Sequence, residues 1–160
     1  MIVKQRSAGT SAWQVYSSAL ANTQYIVLNT TAAVATGATR WNSTTPTSSV
    51  FSIGTDTTVN GSAATYVAYL FATVAGVSKV GSYTGTGTTQ QIDCGFTAGS
   101  RFIMIKRTDS TGDWYVWDSA RGIIAGNDPY LFMNSTAAEV SNTDYVDTYS
   151  AGFEISSTAP

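Results

Sequence analysis

Two stretches of this chain are written in nearly the same residues. Met1-Ile2-Val3-Lys4 returns as Ile103-Met104-Ile105-Lys106, and Trp13-Gln14-Val15-Tyr16-Ser17-Ser18-Ala19 returns as Trp114-Tyr115-Val116-Trp117-Asp118-Ser119-Ala120. The segment Tyr25 to Ala33 matches Tyr130 to Ala138, and Phe51-Ser52-Ile53 matches Phe153-Glu154-Ile155. The offset drifts only between about 101 and 105, which implies a unit of roughly a hundred residues. Any fold proposed for the chain must therefore place two related sets of strands.

Strands are what the repeated segments encode, because apolar and polar residues alternate with period two between turn residues. The expected strands are Ile2 to Arg6, Trp13 to Ser17, Tyr25 to Asn29, Val50 to Gly54, Tyr66 to Ala72, Val77 to Tyr83, Gln91 to Phe96, Phe102 to Arg107, Trp114 to Asp118, Tyr130 to Asn134 and Gly152 to Ser156. The Ala-rich stretch Thr31 to Ala38 is expected to form at most one helical turn, since Thr36 and Gly37 disfavour more. Many short strands at regular spacing predict an all-β, antiparallel sandwich of two sheets. Alternation within Trp114 to Asp118 puts Trp114 and Val116 on one face, and Tyr115 and Trp117 on the other. Trp13 and Val15 repeat the first pair while Gln14 replaces Tyr115, so the first face is expected to be the core.

The second copy reaches Pro160 without a counterpart of the apolar Tyr66 strand, and the first starts without a counterpart of Val80 to Phe96. Two arrangements follow. Either the part-copies 1–80 and 81–160 close one sandwich between them, or the chain is an excerpt of a tandem array. A length of 160 residues favours the single domain.

Charged residues make up only 11% of the chain, while Ser and Thr together exceed a quarter. The eight basic residues are scattered and the formal charge is −2, so no cationic face is built to displace counterions from phosphates, and nucleic acid is not an expected ligand. No run of about 18 apolar residues and no basic-then-apolar leader is present, so neither membrane insertion nor a self-encoded export signal is expected. The single Cys94 reads as a small apolar residue in a strand.

The absence of histidine removes His-based triads and His-based metal sites, and no cofactor or metal is expected. Asp109, Asp113 and Asp118 form the one acidic cluster, but Asp109 and Asp113 bracket Ser110-Thr111-Gly112 as a hairpin turn would require. A solvated turn is preferred there over an oxygen-ligand cation site or a paired-carboxylate glycosidase, and no catalytic residue is assigned. Gly85-Thr86-Gly87 precedes no helix and is not a phosphate cradle. Asn29, Asn42, Asn60 and Asn134 open Asn-X-Ser/Thr triplets, which a chain this rich in Ser and Thr produces by chance.

The runs Gly81 to Gly87, Cys94-Gly95-Phe96, Phe102 to Arg107 with Trp114 to Asp118, and Asn134 to Glu139 followed by Gly152-Phe153 resemble a module repeated in virion and tail-fibre proteins of tailed phages, especially marine and cyanobacterial ones. The order of motifs carries the resemblance over nearly the whole chain. It implies a concanavalin-like jelly-roll sandwich and a non-enzymatic structural role in a tail fibre, appendage or capsid decoration, located on the virion. The implied partners are further copies of the chain and other virion proteins. The alternative is a lectin-like adhesin for host-surface carbohydrate. Trp41, Tyr115 and Trp117 are the ring candidates for such a sugar site, with Asn42, Asp118 and Arg121 as polar partners. The competing expectation places all four tryptophans in the core or at subunit contacts.

Overall fold

The computed structural model describes all residues, 1–160, as an all-β chain with antiparallel sheets and one short helix. The chain forms two compact units. Unit 1 comprises Met1–Phe71 with Arg107–Gly112, and unit 2 comprises Ala72–Lys106 with Asp113–Pro160. No helix is long and apolar enough to cross a membrane.

Unit 1 contains β1 (Ile2–Gln5), β2 (Gln14–Val15), β3 (Gln24–Val27), β4 (Ala35–Thr36), α1 (Thr57–Asn60) and β5 (Tyr66–Tyr69). They form one sheet in the order β4, β3, β2, β1, β5. Ile2 faces Val15 and Tyr69, Val3 faces Gln14 and Ala68, and Tyr25 faces Ala35. Ala35–Thr36, in the stretch Thr31 to Ala38 expected to form at most one helical turn, is a short strand because it pairs with β3. Val3, Tyr16, Trp41 and Val59 are buried together, with Tyr66, Tyr25 and Met1 packed against them. Asp56 caps the single turn of α1 by accepting the Thr58 amide at 2.9 Å, and Tyr66 clamps the other end by donating to Thr57 O at 2.8 Å and accepting the Gly61 amide at 2.7 Å. That turn was not foreseen.

Unit 2 contains β6 (Gln90–Asp93), β7 (Phe102–Lys106), β8 (Trp114–Asp118), β9 (Leu131–Phe132), β10 (Val146–Tyr149) and β11 (Gly152–Ile155). Two three-stranded sheets result, in the orders β10, β11, β6 and β7, β8, β9. Ile103, Trp117, Ile123, Tyr130, Val146 and Phe153 are buried between elements of both, with Tyr115, Phe132 and Ile92 packed around them. Asp128 fixes the start of β10. Its fully buried carboxylate accepts the amides of Tyr145 and Val146, each at 2.9 Å, and its backbone exchanges bonds with Thr143.

Three expectations are corrected. Val50 to Gly54 forms no strand; its end is instead docked by the Gly54 amide on Arg40 O at 3.0 Å. Val77 to Tyr83 also forms none, because the left-handed Gly76 (φ 73°) turns the chain so that Val77 and Ser78 donate back to Val74 O. The third correction concerns faces. Trp114 and Val116 are buried as expected, but Trp117 is buried as well and Tyr115 packs beside it, so β8 is covered on both sides.

Candidate functional site

Trp41 and Trp117 cannot serve as sugar platforms, since neither ring has a face open to solvent. Trp41 is fully buried, lies edge-on to Tyr16 at 6.1 Å and donates its indole N–H to Gln24 O at 3.0 Å. Trp117 is 3% exposed and stacks on Tyr115 at 5.5 Å with an interplanar angle of 11°. Tyr115 in turn meets Tyr130 and Phe132, so the aromatic cluster of unit 2 is interior packing. Its hydroxyl is harder to ionise than usual because burial disfavours the phenolate.

The expected polar partners also have local duties. Asn42 is exposed with φ 54° and forms, with Ser43 at φ 47°, a left-handed turn after Trp41. Asp118 accepts the amides of Ala120 and Arg121, each at 3.0 Å, and pairs with the Arg121 guanidinium, which also meets Glu139 at 2.8 Å. The remaining carboxylates of the acidic run are engaged as well: Asp109 by Arg107 at 2.8 Å, and Asp113 by the Asn134 amide at 2.7 Å. No group of three or more acidic or Cys side chains is arranged to hold a metal ion. Burial, ahead of a smaller opposing effect from Lys79, pushes the Cys94 thiol above its ordinary range, away from nucleophilic use.

One aromatic surface that faces solvent lies in unit 1 and corrects a sequence expectation, because Trp13, placed on the core face with Val15, is only partly buried and borders a groove beside the exposed Tyr69. A shallow open groove of about 540 Å³ is lined by Lys4, Gln5, Arg6, Trp13, Tyr66 and Tyr69, among others. Its geometry follows from register. Lys4 faces Val67 and Ile2 faces Tyr69 across β1 and β5, which sets Lys4 and Tyr69 on the same side of the sheet. Trp13, just before β2, stacks on Tyr69 at 6.2 Å and 24°. The Lys4 ammonium stands 5.9 Å from the Trp13 ring centre and is held by the carbonyl oxygen and the hydroxyl of Ser11. Arg6 is exposed and enters no ion pair. The groove therefore combines two near-parallel rings with two cations. A clue was present in the sequence, since Trp13 follows the Ser- and Ala-rich stretch Ser7 to Ala12 and precedes Gln14, whereas Trp117 lies in the apolar run Trp114-Tyr115-Val116-Trp117.

Along residues 1–160 the chain matches the family described as a domain of unknown function (DUF7483), and it belongs to that family. No curated protein and no solved structure matches it.

Proposed function

We propose that this DUF7483 chain is a non-enzymatic structural module of a tailed-phage virion, part of a tail fibre, appendage or capsid decoration, built on a jelly-roll-like sandwich whose unit recurs about every hundred residues. The observation that carries this reading is a correspondence of register. Ile2 faces Val15 as Met104 faces Val116, and Val3 faces Gln14 as Ile105 faces Tyr115. Gln14 faces Val27 as Tyr115 faces Phe132, and Tyr25 pairs with Ala35 as Tyr130 bridges to Val140. The Gly54 amide donates to Arg40 O at 3.0 Å, as the Ser156 amide donates to Tyr145 O at 3.0 Å. A slip of one residue would turn every side chain to the opposite face, so agreement through successive strands supports duplication of one ancestral unit.

Repetition supports a structural role, because regular particles are assembled from many equivalent contacts. The two units also differ in the edges they fill. β1 carries β5 on its outer edge, whereas β7 ends its sheet; β11 carries β6, whereas Val50 to Gly54 has no such neighbour. Strand addition from an adjacent module or a second copy would complete such edges. The test is immuno-electron microscopy of purified phage particles with antibody against residues 1–160, combined with native mass measurement of the isolated chain. Regular label on an appendage or capsid, with a discrete oligomer, is expected. Particles that lack the chain would overturn the virion assignment. A stable monomer with fully protected β1 and β11 amides would overturn the assembly role.

A second reading, a host-glycan adhesin, is favoured by the groove beside Trp13 and Tyr69, since an exposed ring such as Tyr69 beside hydrogen-bonding groups is how sandwich modules hold sugars.

A further inference from the structure

We infer that the Trp13–Tyr69 groove binds an acidic linear polysaccharide, with the Tyr69 ring, backed by Trp13, under the sugar and Lys4 and Arg6 on its carboxylates. This inference rests on the adhesin reading and specifies its ligand class.

The charge argument comes first. The chain carries a net charge of −2, yet the groove is lined by Lys4 and Arg6 and by no Asp or Glu. Local sign thus opposes the overall sign, and the surface selects anions where the rest of the molecule repels them. Lys4 is also held in place before any ligand arrives. Ser11 accepts two of its hydrogen bonds, which leaves a third N–H for another acceptor and lowers the ordering cost of an ion contact. Arg6 contributes a guanidinium without an ion-pair partner, and its planar donors suit a carboxylate in a two-bond arrangement.

The rings decide which class of anion fits. Tyr69 is 47% exposed and backed by Trp13, which stacks on it at 6.2 Å and 24°, so the Tyr69 ring offers an apolar surface of the kind that matches the C–H face of a pyranose. An acidic peptide would meet the two cations but offers no such flat face to the rings. Because the groove is shallow and open, it suits a chain passing along the surface better than an enclosed terminal sugar.

The test is isothermal titration of the intact chain with oligomers of polygalacturonate, alginate and hyaluronan, with their methyl esters, and with hexaglutamate. At least one free-acid oligomer is expected to bind, and to weaken about tenfold or more on esterification, on raising salt, and in Arg6→Gln. Trp13→Ala is expected to abolish binding, with its melting curve checking the fold, while Lys79→Gln in unit 2 leaves binding unchanged. Equal binding of an acid and its ester would overturn the acidic assignment and leave the adhesin reading standing. Equal binding of hexaglutamate would overturn the saccharide assignment. Failure of every oligomer would overturn the acidic-polysaccharide inference, whereas failure of a neutral-glycan array as well would overturn the adhesin reading, the virion proposal standing in both cases.

Discussion

The side chain of Asn134 accepts the backbone N–H of Trp114 at 2.7 Å, and its amide donates to Asp113 at 2.7 Å, so one residue ties the end of β9 to the beginning of β8. Asn29 accepts the Trp13 amide in the same way at 2.9 Å, in a more exposed setting. Asn134→Ala should destabilise by about 1–3 kcal/mol, because its half-buried partners lose their bonds without gaining water. Asn29→Ala should cost less, since water reaches the Trp13 amide. Urea denaturation of both variants checks the ordering.

Burial on both faces of β8 sets a second expectation. Trp117→Ala should cost about 3–5 kcal/mol, and Tyr115→Ala should be of comparable size because that ring touches Trp117, Tyr130 and Phe132. A near-neutral Tyr115→Ala in thermal unfolding would mean that the aromatic cluster is not packed as described.

Acid should weaken unit 1 through Asp56. Burial pushes its carboxyl up, but the hydroxyl and amide of Thr58 together with Arg40 more than offset this and hold it below 3.8. A folded-state value depressed in this way contributes stability that is present above 3.8 and lost as pH falls through the folded value. Asp56→Asn should therefore lower stability at neutral pH and flatten the dependence below about pH 4, as read by melting temperature against pH.

Asp128 should act with the opposite sign. Burial raises its carboxyl above 3.8 despite the bonds from the Tyr145 and Val146 amides. The folded chain then holds this proton more tightly than the unfolded chain does. The contribution of Asp128 falls as pH rises from 3.8 through the folded value and is level above it. In Asp128→Asn that slope should vanish, with a net loss of about 1–3 kcal/mol at neutral pH because an N–H₂ would face a backbone donor. Carboxyl titration followed by NMR would detect the raised value directly, and a value below 3.8 would contradict the account.

Gly152 is required by contact. A Cβ there would lie 2.0 Å from Ile92 O, so Gly152→Ala should break the β11–β6 pairing and lower expression or melting temperature sharply. Gly9→Ala meets nothing within 4 Å and should be tolerated. Parallel melts of the two variants separate the cases.

The sequence by itself determined the all-β class and most strand positions, because alternation between turn residues is a local signal. Trp114 to Asp118 was legible to the residue, since its aromatic and β-branched side chains favour extended backbone with or without neighbours. The polar Val146-Asp147-Thr148-Tyr149 strand was not legible; pairing with β11 and the amide bonds to Asp128 make it a strand. Val77 to Tyr83 had the pattern of a strand, but no ladder partner takes it up. Period-two spacing shows that two faces exist without saying which is covered, so the expected sugar platform fell on the buried Trp41 and Trp117. Only the tertiary structure set Trp13 against Tyr69, residues 56 positions apart, because the pairing of β1 with β5 brings distant chain together and no local pattern encodes that contact.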